Sequence, residues 1–162
     1  MGFFSRFFGT GDRADKKRPA QPDADAGAEE MGLDSRLAAQ ILAEIDIDTA
    51  IAAHENWKLR LLNYLDGKSD EDLRPEVICE DGRCDLGKWL HGPGRERLGK
   101  YPAFTVLVAQ HKYFHVQAST VVAQAQSGNE AEARRVLNGS YRLASNQVVL
   151  MLKALKKGLG VR

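Results

Sequence analysis

Two of the chain's four histidines, His111 and His115, stand four apart in the stretch HKYFH. On a helix, positions four apart lie on one face, about one turn from each other. Both imidazoles can then aim at one point about 2 Å away, the usual Zn–N distance. His54 lies three after Ile51 and seven before Leu61, on the apolar stripe of an earlier helical segment. His111 follows Leu107 by four and His115 precedes Val122 by seven, so both face inward as well. Each buried ring carries a polar nitrogen that needs a partner, and an unpaired cluster of them is unfavourable. A metal ion resolves that conflict. Three inward histidines with one nearby cysteine supply the ligand count of a tetrahedral zinc site. Taken singly, a histidine on an apolar face is commonly a hydrogen-bonded core residue, and a lone cysteine a small buried hydrophobe. The conjunction carries the reading.

Helices must position these residues. From Asp34 or Ser35, which can cap a helix start, the apolar residues Leu37, Ile41, Ile45, Ile51, Leu61 and Leu65 recur near helical periods, up to a C-cap at Gly67. Ser69 to Asp72 has the form of a small capping box, and Pro75 stops any long helix there. Residues 84–100 read as short helical turns broken by Gly87, Gly92, Pro93 and Gly94. A second long helix is predicted from Pro102 to Gln126, with Phe104, Leu107, Val108, Val121 and Val122 as its apolar set. Asn129 with Glu132 opens a third long helix that ends at Gly158 and carries Val136, Leu137, Leu143, Val148, Met151, Leu152 and Leu155. No alternating strand pattern occurs. The expected fold is all-α: a bundle of four-helix type over 34–158, with short helical turns between its first two long helices and a short C-terminal tail over 159–162.

The first 33 residues differ in character. Phe3, Phe4, Phe7 and Phe8 share a helical face, and a charged, small-residue run with Pro19 and Pro22 comes next. That run cannot bury enough surface to offset its ordering entropy, so a disordered tail is expected. The phenylalanines are a candidate anchor for a membrane surface or a partner groove. In the 162 residues, 23 Lys+Arg against 22 Asp+Glu give a net charge of +1, which sets up no field favouring nucleic acid. Hydrophobic residues make up 43%, enough for one modest core. The apolar start is too short for a secretory signal, and no run of 18 or more apolar residues exists. A cytoplasmic protein with reduced thiols is expected, with at most a peripheral membrane contact.

The stretch CDLGKWLHG, Cys84 to Gly92, resembles the Cys-x-x-Gly-x-Trp signature of the bacterial chemoreceptor zinc-binding domain. HENWK, His54 to Lys58, resembles that family's first-helix histidine motif, and HKYFH its later histidine pair. The three motifs occur in the family's order within roughly residues 40–155. The resemblance implies a four-helix bundle holding Zn²⁺ through His54, Cys84, His111 and His115, homodimerisation, and a regulatory role. Members are fused to chemoreceptors or diguanylate cyclases, where they sense zinc or oxidants such as hypochlorous acid. These 162 residues contain no such output domain, so a separate signalling partner is expected and the sequence does not name it.

Beside the ligands, Gly87 permits close approach of the turn to a neighbouring helix. Trp57 and Trp89 are large plates that could pack by the site and limit water, or be ordinary core. Asp85 could accept an imidazole N–H, or lie solvated on the surface. His91 has no helical partner and is left out of the shell. Cys79 could replace Cys84 as ligand or act as a resolving thiol. Four protein ligands leave no position for a reactive water, so the chain is not expected to be an enzyme. A di-iron site would want Glu-x-x-His pairs. Val108, Lys112 and Ile51 stand three before His111, His115 and His54, where such glutamates would be. Two readings then stand: a sensory module for chemotaxis or related signalling that responds to zinc or to cysteine oxidation, and an interaction scaffold with a purely structural zinc, tethered by the phenylalanine segment.

Overall fold

The structure is a computed structural model that describes residues 33–161. The candidate anchor of Phe3, Phe4, Phe7 and Phe8 lies outside the described residues. Among the described residues every regular element is helical.

Asp34 caps helix α1, Ser35–Glu44, by accepting the Leu37 N–H at 2.8 Å. The predicted first long helix does not run on from there. Ile45 is extended, with φ −142° and ψ 133°, and Asp46 starts a second helix, α2, Ile47–Leu65. The break has a local cause. Asp46 accepts the Thr49 N–H at 3.0 Å and the Thr49 hydroxyl at 2.8 Å, so its side chain offers the backbone a cap in place of continued helix. The Ser69–Asp72 capping box does not form either. Ser69 Oγ accepts the Glu71 N–H at 3.2 Å within a non-helical stretch, and helix begins only at Pro75.

Four short elements come next: α3, Pro75–Ile78; a 3₁₀ turn, Asp81–Arg83; α4, Asp85–His91; and α5, Pro93–Leu98. Then comes α6, Pro102–Gln126, whose first residue is a proline that needs no N–H partner there. Gly128, at φ 80°, reverses the chain into α7, Glu130–Val136. Asn129 precedes α7, but its side chain donates to Gln124 Oε1 at 3.1 Å and makes no capping bond. A π-helical turn, Leu137–Tyr141, carries α7 into α8, Arg142–Gly158.

Helix α8 packs against α2 and α6, α7 packs against α6, and α2 also meets α6. Lys153 bonds Glu55 and Lys156 bonds Asp48, which sets α2 and α8 antiparallel. Helix α3 docks on α6, and α4 and α5 follow it in the chain. Ser119 on α6 fixes α3 by donating to the Pro75 carbonyl at 2.9 Å. The arrangement is compatible with a bundle of four-helix type. Its interior is built from Ile41, Leu61, Leu90, Leu98, Phe114, Val121, Val122, Tyr141, Val148 and Leu152, all buried. Leu143, expected inside, is instead exposed.

Candidate metal centre

His54 lies mid-way along α2, His111 and His115 lie one turn apart on α6, and Cys84 is the N-cap of α4. The structure brings these four together, each offering one donor atom, and all four atoms lie within 4.8 Å of one another. Cys84 Sγ and His111 Nε2 are 3.3 Å apart. Donors about 2.0–2.3 Å from a tetrahedral ion are themselves roughly 3.3–3.7 Å apart. That pair therefore already has the required spacing, and the other donors, within 4.8 Å of one another, need to draw in to reach it.

Backbone carbonyls set two of the imidazole tautomers. His54 Nδ1 is 2.7 Å from the Ala50 carbonyl, and His115 Nδ1 is 2.8 Å from the Ile78 carbonyl. A carbonyl only accepts, so each Nδ1 carries the proton and each Nε2 presents a lone pair. The Ile78 carbonyl is free to accept because it sits at the last turn of α3, where intrahelical donors run out. Those two Nε2 atoms are buried without a hydrogen-bond partner. A buried nitrogen lone pair facing two other imidazoles and a thiol is costly unless a cation occupies the point they share.

The surroundings hold the rings neutral. Burial pushes the His54, His111 and His115 pKa values down; for His111, burial together with the neighbouring imidazoles brings it to about 3. Phe114, fully buried, forms an apolar wall, its ring centroid 5.0 Å from His54 and 5.3 Å from His115. Burial likewise pushes the Cys84 thiol up, aided by the charges of Asp81 and Asp85 and opposed by the Gly87 N–H that Sγ accepts at 3.2 Å. A divalent cation reverses that balance, because a coordinated thiol is deprotonated. The residues present thus fit a borderline-soft ion that takes nitrogen and sulfur, and zinc is the ion this donor set suits best.

Gly87 makes the turn possible. A Cβ there would stand 1.7 Å from the Asp81 carbonyl oxygen. The 3₁₀ turn consequently folds directly against α4 and delivers Cys84 to α6. Trp57 lies beside the site: with Cys84 and His115 it lines a cavity of about 290 Å³, and the Arg60 guanidinium stacks over its ring at 4.1 Å. Trp89 has a different place. It packs edge-on to Phe104 at 6.0 Å and donates its indole N–H to Glu44 at 3.3 Å, tying α4 to α1 as core. Asp85 does not reach an imidazole; its side chain is 99% exposed and pairs with Lys88. Cys79 is exposed, donates to the Glu76 carbonyl and stands outside the donor cluster. Asp81 and His91, to which the sequence assigned no role, do stand close by, with Asp81 Oδ2 3.7 Å from His111 Nδ1. The available signal was that Asp81 precedes Cys84 by three, but only the 3₁₀ turn brings it to His111.

This fold, with its Cys-x-x-Gly-x-Trp turn and paired histidines, defines a helical metal-binding module. Residues 54–122 match the sequence model of the chemoreceptor zinc-binding domain. No curated protein and no solved structure matches the chain significantly.

Proposed function

We propose that this protein is a zinc-binding regulatory module whose helix packing responds to zinc supply or to oxidation of Cys84. One observation carries the reading: three buried imidazoles, two of them locked with an unpartnered Nε2 inward, converge with a single thiol. His54, Cys84, His111 and His115 would hold the ion; held by these residues of α2, α4 and α6, it would tie the three helices together and contribute its binding free energy to folding. With four protein donors the site is suited to holding and releasing an ion rather than to catalysis.

Cys84 is the oxidisable donor. Its thiolate plus hypochlorous acid gives the sulfenic acid plus chloride: sulfur loses two electrons, chlorine gains two, and the oxygen and proton of the oxidant end on sulfur. The sulfenic acid donates poorly, so the shell drops to three imidazoles and the N-terminus of α4 loses its tie to α6. The cavity beside Trp57 and Cys84 provides a route for a small oxidant. A second copy of the chain is the expected partner. Val106 and Tyr113 on α6, and Leu143 and Leu150 on α8, are exposed apolar residues repeated at seven-residue spacing on helices that pack together. A separate signalling protein would receive the change.

The test is oxidant titration of the zinc-loaded protein, with released zinc and circular dichroism measured together. The regulatory reading expects zinc release and a change in helix packing in step with oxidation of Cys84. Oxidised Cys84 with unchanged zinc and spectrum, together with an affinity too high for cellular zinc ever to fall below it, would leave an interaction scaffold with a structural zinc.

A further inference from the structure

Two of the three inward imidazoles donate Nδ1–H to a backbone carbonyl, and His111 does not. Its Nδ1 is buried, lacks a hydrogen-bond partner and faces Asp81 Oδ2 at 3.7 Å. Asp81 is itself held in place. His91 Nε2 donates to the same Oδ2 at 2.7 Å, and the Asp81 carbonyl oxygen lies 3.7 Å from Cys84 Sγ, within reach of the thiol S–H. One residue therefore touches the surroundings of two donors, with its main chain at Cys84 and its side chain at His111. Charge points the same way. Three neutral imidazoles and one thiolate leave a divalent cation with one uncompensated positive charge in an apolar interior, and the carboxylate of Asp81 balances it.

We propose that Asp81, braced by His91, is the positioning residue of the centre: its carboxylate accepts the His111 Nδ1 proton, fixes the tautomer that turns Nε2 toward Cys84, and neutralises the occupied site. The proposal rests on the zinc-binding reading above. A short contraction of the 3.7 Å gap makes the hydrogen bond, of the same order as the contraction the donor cluster needs to close on an ion. His91, which is half-exposed, acts only through Asp81 and makes the far end of the chain His91–Asp81–His111.

The experiment measures zinc affinity by chelator competition on the full-length protein for wild type, Asp81→Asn, Asp81→Ala, His91→Ala and the Asp81→Ala/His91→Ala double variant. Both Asp81 variants are expected to weaken binding about 10–100-fold. His91→Ala should cost less, and nothing further once Asp81 is gone. A purely structural role would not move a second readout, the His111 tautomer from side-chain ¹⁵N shifts in the metal-free protein. There wild type should hold the proton on Nδ1, and Asp81→Ala should show a mixture. Wild-type affinity in both Asp81 variants, or an unchanged tautomer, overturns the proposal. A wild type that holds no zinc defeats the functional reading instead, and the tautomer still decides the role of Asp81.

Discussion

Cys84 Sγ lies 3.3 Å from His111 Nε2, although 27 residues separate the two in sequence. That contact joins the N-terminus of a seven-residue helix to the middle of the longest helix among the described residues. Neither partner is held by chance. Cys84 is fixed as the cap of α4, and His111 by full burial beside two other imidazoles. The tie between α4 and α6 therefore depends on what the thiol and the imidazole share.

The turn that delivers Cys84 is the first point to test. A methyl group at Gly87 would meet the Asp81 backbone, which cannot step aside as a flexible side chain would. Gly87→Ala should destabilise the fold by about 1–3 kcal/mol and lower zinc affinity as well. Thermal unfolding with and without zinc checks both. A variant with wild-type stability and affinity would show that the turn has another way to close.

Acid should weaken the metal-free fold. His111 keeps a pKa of about 3 in the fold against an ordinary value of 6.5, and burial lowers His54 and His115 in the same direction. The unfolded chain takes up protons that the folded chain refuses. Stability is therefore fully present above about pH 6.5 and is lost as pH falls from there toward 3. His111 alone accounts for about 2 kcal/mol between pH 7.5 and 5. Urea unfolding of chelated protein at those two pH values measures it, and His111→Leu should flatten the dependence.

Much of the centre was legible in the sequence, and the reasons are physical. HKYFH announces itself because a helix puts residues four apart on one face, and His54 because it falls on an apolar stripe. The long helix from Pro102 to Gln126 is marked at both ends, by a proline at its start and by Gly128 beyond its end. What could not be read depends on backbone direction. Asp46 breaks the first helix because its side chain bonds Thr49, a competition that the apolar periodicity does not record. In the sequence Asp85 adjoins Cys84 while Asp81 stands three before it, and nothing there favours the farther one. Only the 3₁₀ turn aims Asp81 at His111 and leaves Asp85 in solvent. The carbonyls of Ala50 and Ile78, which orient two imidazoles, have no side-chain signature at all.

The histidines should cost stability in exchange for the site. His54 Nε2 is a buried lone pair without a partner in the metal-free fold. His54→Leu fills a similar volume without it, so the chelated variant should be more stable than wild type by about 1 kcal/mol or more. Added zinc should reverse the order, raising wild type and leaving the variant unmoved. Unfolding midpoints under the two conditions give the comparison.

The most direct measurement is the zinc content of purified protein for wild type, Cys84→Ala and Cys79→Ala. The geometry predicts about one zinc per chain in wild type and in Cys79→Ala, and a sharp loss in Cys84→Ala. Equal zinc in Cys84→Ala, or a loss confined to Cys79→Ala, would contradict the convergence of His54, Cys84, His111 and His115 on one ion.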